Sequence, residues 1–86
     1  MKYELILLLN QEAELKNVKD LILALKGKVE KEEKWGEKTL AYKIGKNYRA
    51  FYFDLFIEMD KKQVLELRKK LNFNEKILRF LLLVNN

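Results

Sequence analysis

Apolar side chains recur along this chain with two alternating periods, and that rhythm limits the fold more than any other feature. Between residues 2 and 9, Tyr3, Leu5, Leu7 and Leu9 fall on one side of an extended chain, and Glu4, Ile6 and Leu8 fall on the other. Both sides are partly apolar, which predicts a central strand. Residues 12–26 switch to helical spacing, with Leu15, Val18, Ile22 and Leu25 in phase and Leu21 beside them. Asn10 is placed to cap this helix and Gly27 to end it. Residues 28–44 return to an extended pattern, but the parity flips across Gly36. Val29 and Trp35 are odd-numbered, whereas Leu40, Tyr42 and Ile44 are even. One extra residue at a β-bulge produces such a flip, and glycine tolerates the geometry. The alternating charges of Lys28, Glu30, Lys31, Glu32, Glu33 and Lys34 suit an exposed edge that must not pair with another copy.

Gly45, Lys46 and Asn47 predict a turn. Residues 48–59 then alternate Phe51, Phe53, Leu55 and Ile57 against Tyr52, Asp54, Phe56 and Glu58. Asp60 with Gln63 forms a capping-box pattern ahead of a second helix, Lys61 to Leu71, that turns Val64, Leu67 and Leu71 inward. A last strand, Lys76 to Val84, sets Phe80 and Leu82 against Arg79, Leu81 and Leu83. The order is βαββαβ, and residues 1–86 are expected to form a single domain. Right-handed split crossovers make this an α+β, ferredoxin-like fold: a four-stranded antiparallel sheet of order 4-1-3-2 with both helices on one face. The other face keeps Ile6, Leu8, Tyr52, Phe56, Leu81 and Leu83 without a cover. A contiguous apolar patch of this kind marks an interaction site.

Composition removes most enzyme chemistry. The chain has no cysteine, histidine or proline, no serine, and one threonine, Thr39. Serine–histidine and cysteine–histidine catalysis are excluded, as are zinc sites built on cysteine or histidine. Gly27, Gly36 and Gly45 are isolated, so no glycine-rich phosphate loop exists. Glu32 and Glu33 are neighbours only in sequence, since adjacent strand residues point to opposite faces. The chain is therefore read as non-enzymatic, with no cofactor, metal or small-molecule substrate. The apolar run Leu5–Leu9 falls far short of the ~20 residues that a membrane-spanning helix needs, and a cytoplasmic location is expected. Eighteen basic against 13 acidic residues leave a net charge of +5, which favours polyanionic partners, nucleic acid first among them.

The segment Gly36-Glu37-Lys38-Thr39-Leu40-Ala41-Tyr42-Lys43-Ile44 resembles the signature of the bacterial small-subunit ribosomal protein six family. Gly36, Lys38, Leu40, Ala41, Tyr42 and Ile44 match its pattern. Tyr3-Glu4, the long bulged second strand, Glu58-Met59 and Ile77-Leu78-Arg79 resemble it too. Thr39, Lys43 and Gly45 depart from the usual residues, Lys43 standing where proline is common. Many relatives also carry an extension beyond the last strand, where this sequence ends at Asn85-Asn86. The resemblance implies a scaffold of the small ribosomal subunit. It would bind the central domain of 16S rRNA together with small-subunit ribosomal protein eighteen, the two proteins assembling cooperatively on the RNA.

Within that reading, the basic residues expected to reach RNA are Lys2, Lys46, Arg49, Lys76 and Arg79. Arg79 lies among apolar residues on the uncovered face and is either an RNA contact or the cross-strand partner of Glu4. The protein-partner face is expected to comprise Ile6, Leu8, Trp35, Tyr42, Tyr52, Asp54, Phe56, Leu81 and Leu83. Trp35 and Tyr42 can serve as contacts or as packed strand aromatics. Asp54, between Tyr52 and Phe56, can pair with an arginine of the partner or remain a solvated carboxylate. A rival reading uses the same topology. RNA-recognition motifs stack single-stranded bases on aromatics of strands 1 and 3, and Arg49, Phe51, Phe53 and Phe56 loosely match their third-strand pattern. Ala50 and Tyr52 do not.

Overall fold

The computed structural model describes the backbone of residues 1–44 and 47–85, and the side chains of residues 1–39 and 49–85. The elements run β1 (Lys2–Leu9), α1 (Glu14–Ala24), β2 (Lys28–Ile44), β3 (Asn47–Glu58), α2 (Lys61–Asn72) and β4 (Ile77–Val84). The strands pair antiparallel in the order β2-β3-β1-β4, the expected 4-1-3-2 arrangement with β1 and β3 inside. Gly45 and Lys46 of the expected turn lie outside the described residues.

One face of the sheet and the two helices share a single core. Leu5, Leu7, Leu9, Phe53, Leu55 and Ile57 from the central strands pack with Leu15, Val18 and Ile22 of α1 and Val64, Leu67 and Leu71 of α2. Each such side chain contributes roughly 1.5–3 kcal/mol on leaving water. The helical spacing read from the sequence thus supplies the inward stripes, and both helices lie on one side.

Helix boundaries differ from expectation, for local reasons. α1 begins at Glu14, not residue 12, after turns in which Glu14 N–H donates to the Gln11 carbonyl (3.2 Å) and Leu15 N–H to that of Glu12 (3.1 Å). Asn10 therefore lies too far upstream to cap it. Its backbone N–H donates to the Lys76 carbonyl at 3.2 Å instead. The fastening at this end is Glu14, a buried carboxylate that accepts from Asn74 Nδ2 (2.9 Å) and Asn17 Nδ2 (3.1 Å). Asp60 does occupy the N-cap of α2 in extended conformation, but its side chain makes no capping hydrogen bond, so the pair with Gln63 is not a capping box.

The end of α1 separates two jobs that the sequence reading gave to Gly27 alone. Lys26 N–H donates to the Leu23 carbonyl (3.0 Å) and Gly27 N–H to the Ile22 carbonyl (2.8 Å), a Schellman motif. The left-handed residue of that motif is Lys26, at φ +63°. Gly27 is needed for space: a Cβ there would fall 2.5 Å from Met59 Cγ and 2.8 Å from Ile22 Cγ2.

In β2 the register against β3 slips between Lys34 and Gly36, with Gly36 at φ +90°, which is the bulge anticipated from the parity flip. A second slip, between Val29 and Lys31, leaves Glu30 as another extra residue. On the helix side, β2 is tied to α1 and its approach by the ion pairs Lys19–Glu32 and Lys34–Glu12.

Two substitutions at the end of α1 should move stability in opposite directions. Lys26→Gly is expected to raise it by about 1 kcal/mol by relieving the left-handed conformation. Gly27→Ala is expected to lower it by roughly 1–3 kcal/mol through overpacking. Urea denaturation of the two variants measures both.

Candidate functional site

The strand registers lay out the uncovered face as three rows running from β2 across to β4. The first row is Lys31, Phe56, Glu4 and Leu83. The second is Glu33, Asp54, Ile6 and Leu81. The third is Gly36, Tyr52, Leu8 and Arg79. Every described residue expected on the partner face falls in these rows except Trp35, the unpaired residue of the bulge, whose indole N–H donates to Glu33 Oε2 at 3.3 Å. The side chain of Tyr42 lies outside the described residues. The patch is graded rather than uniformly open. Leu81 is 52% exposed, Trp35 44% and Leu83 41%, whereas Ile6, Tyr52 and Phe56 are half-buried and Leu8 is buried. Ile6, Leu8, Tyr52, Arg79 and Leu81 line a shallow depression of about 290 Å³.

Asp54 is not a solvated carboxylate: it is 3% exposed, and no hydrogen-bond donor reaches its Oδ1. Its carboxyl is pushed up to about 7, first by burial, then by the Glu4 carboxyl within hydrogen-bonding reach and by the charge of Glu33, with Lys31 pulling the other way. Protonated, the Asp54 carboxyl can donate to the Glu4 carboxylate and so relieve a repulsive contact. Glu33 has the opposite fate. The Lys31 ammonium, 2.9 Å away, and the Trp35 indole hold it below the ordinary carboxylate range. Lys31 also lies 5.6 Å from the centroid of the Phe56 ring.

The expected RNA-binding residues are not gathered at one place. Arg49, Lys76 and Arg79 lie toward the end of the sheet where β1 finishes, and Lys2 lies at the opposite end, ~24 Å away along the strand. Lys2 sits 3.6 Å from Glu30, Arg49 sits 3.4 Å from Glu37, and Lys76 lies 4.0 Å from the buried Glu14. Lys46 lies outside the described residues. Arg79 is exposed at the corner where the open face meets a second groove, of about 430 Å³, between α2 and the outer edge of β4. That groove is also lined by Arg68 of α2, a residue that no pattern in the sequence singles out. The register corrects one alternative. Leu83 stands opposite Glu4, and Leu8 stands opposite Arg79, two rows or ~13 Å along the sheet, so Arg79 is not the cross-strand partner of Glu4.

Among the described residues no group of His, Cys, Asp or Glu side chains could hold a metal ion, and no helix is long and apolar enough to cross a membrane. The arrangement offers recognition surfaces: an apolar face with a buried acidic centre, and a basic corner beside it.

Comparisons with known proteins give the class of the chain, the proteins of the small ribosomal subunit. Residues 2–83 match the profile of the family described as Ribosomal protein S6. The chain is 37% identical to the small ribosomal subunit protein bS6 of Bdellovibrio bacteriovorus over 86 residues, covering 92% of this chain and 57% of that protein. Against bS6 of Vesicomyosocius okutanii it is 44% identical over 68 residues, covering 79% of this chain and 60% of the relative. It thus spans less than two thirds of the length of these two relatives. The crystal structure of 30S ribosomal protein S6 from Thermotoga maritima superposes with a TM-score of 0.79 at 26% identity, covering 94% of this chain and 83% of that one. The chain belongs to the ribosomal protein S6 family, a non-enzymatic family of the small subunit.

The raised Asp54 carboxyl fixes a sign for stability. The folded chain binds this proton between the ordinary value of 3.8 and about 7, so the Asp54 contribution becomes less favourable as pH rises through that window and levels off above it. Asp54→Asn is expected to flatten the fall. At pH 8 it should raise stability by roughly 1–2 kcal/mol, read as a higher thermal midpoint.

Proposed function

We propose that this chain acts as an assembly scaffold that binds the central domain of 16S rRNA jointly with small-subunit ribosomal protein eighteen. Family membership supports the ribosomal setting. The observation that carries the division of labour is the uncovered sheet face. Two helices occupy one side of the sheet, and the other presents Leu81, Leu83 and Trp35 to solvent around half-buried Ile6, Tyr52 and Phe56. Such a face suits a protein partner. The Arg79–Arg68 groove and the nearby Lys76 and Arg49 suit phosphates, with Lys2 and Lys46 as further basic residues of this reading.

The base-stacking alternative fits the face less well. Tyr52 and Phe56 are half-buried, and Asp54 lies between them on the same strand face, with Glu4 and Glu33 in the adjacent strands. A nucleic-acid strand laid across them would bring its phosphates to carboxylates.

Binding of a central-domain 16S rRNA fragment, with and without protein eighteen, at several salt concentrations tests the proposal. Tight binding is expected only with both proteins, and it should weaken as salt rises. Arg79→Ala should reduce affinity and lower the slope of log affinity against log salt by about 1, with an unchanged thermal midpoint. Equal binding to short single strands without the partner would refute the scaffold reading.

A further inference from the structure

The centre of the open face is neither simply apolar nor basic, and that departure points to what covers it. Asp54 stands on the uncovered side, 3% exposed, with no donor to its Oδ1. Leaving a buried carboxylate oxygen without a donor is costly, so a native site of this kind calls for an explanation. The charged groups facing it are Glu4 from β1 and Glu33 and Lys31 from β2, and the core shared with the helices lies on the other side of the sheet. Lys31 is committed to Glu33 and to the Phe56 ring. Around Asp54, its own carboxyl and those of Glu4 and Glu33 face the Lys31 ammonium, in a chain whose net charge is +5. Among the described residues these groups do not form a metal site.

We propose that this face seats a cationic side chain of its protein partner, a guanidinium or an ammonium, over Asp54 and between Glu4 and Glu33. The inference rests on the reading that protein eighteen covers the face, and it names the group by which the partner is recognised. A guanidinium carries five donors and an ammonium three, enough to serve Asp54 Oδ1 and the flanking carboxylates together. Ile6, Phe56, Leu81 and Leu83 surround the position and would pack against the aliphatic stem. Phosphate is repelled at the same spot, which assigns the face to protein rather than RNA. In the free chain a proton on Asp54 removes the buried charge that lacks a donor. Docking of the cation releases that proton to solvent, so pairing tightens with pH. With a free-state value of about 7 for Asp54, affinity should rise about tenfold between pH 6 and pH 8 and level off above.

Titration calorimetry of the full chain against protein eighteen of the same bacterium tests this, using wild type, Asp54→Asn and Leu81→Glu between pH 6 and pH 8. Wild type should pair with net proton release. Asp54→Asn should pair at least tenfold more weakly at pH 8, lose the pH dependence and keep its thermal midpoint or raise it. Leu81→Glu, an exposed position in the same row, should abolish pairing. If Asp54→Asn pairs as tightly as wild type while Leu81→Glu does not pair, the cation site is wrong and the open-face interface stands. If wild type does not pair, or Leu81→Glu pairs normally, the interface and the cation site both fall.

Discussion

Two helices can cover only one side of four strands, and most of what distinguishes this protein follows from that shortage. β1 and β3 are flanked by strands on both edges and by helices on one face, so Leu5, Leu7, Phe53 and Leu55 reach zero or near-zero exposure. The strand period of two then sends the intervening residues to the far side with no freedom to do otherwise. A sheet that had to stand alone would place polar side chains there. This one places Ile6, Leu8, Tyr52 and Phe56, and the edge strand β4 adds Leu81 and Leu83. The apolar second face does not serve the core defined by the helices, and its exposed edge is a liability in isolation.

The parts legible in the sequence are those governed by period alone. Strict alternation placed residues 3–9 of β1 and 51–58 of β3 on their observed faces, and the charge-rich β2 is an edge as its pattern implied. The parity flip around Gly36 located a bulge because apolar residues on both sides reported the phase. The bulge at Glu30 was invisible, since Lys28, Glu30 and Lys31 are all charged and carry no phase information. That slip hides which acidic residue of β2 stands opposite Asp54, and the acidic centre was not legible: Glu4 reads as a cross-strand partner for Arg79, and Asp54 as a carboxylate on its own. Capping was misread where several residues could do one job. Asn10 and Gly27 are the usual choices for the two ends of α1, yet a turn at residues 11–13 carries the start and Lys26 accepts the left-handed conformation. Local preference was overridden there by packing, the contact of Gly27 with Met59 above all.

Charge is segregated on this small surface, and the spacing gives the segregation a consequence. Asp54 on β3 and Arg79 on β4 stand one row and two strands apart, ~12 Å, a little more than the ~8 Å Debye length at physiological salt, so their interaction is partly screened. On the proposed arrangement, a cation seated at Asp54 cancels negative potential that would otherwise weaken phosphate binding at Arg79 where Asp54 is already ionised, above a pH of about 7; below it the cation only replaces the proton. At ~12 Å one unit of charge is worth roughly 0.3 kcal/mol in bulk water and ~1.4 kcal/mol at the effective dielectric of a protein surface, before screening. That range corresponds to a change in affinity of about tenfold at most. It is enough to couple the two partners energetically without any change of shape, and the coupling is reciprocal: whatever factor the seated cation adds to RNA affinity, RNA held at the basic corner would add to the affinity of the protein that carries the cation. On that proposal, joint binding of a protein and an RNA would follow from two neighbouring surfaces of opposite sign, one of which is partly neutralised by a proton until its partner arrives.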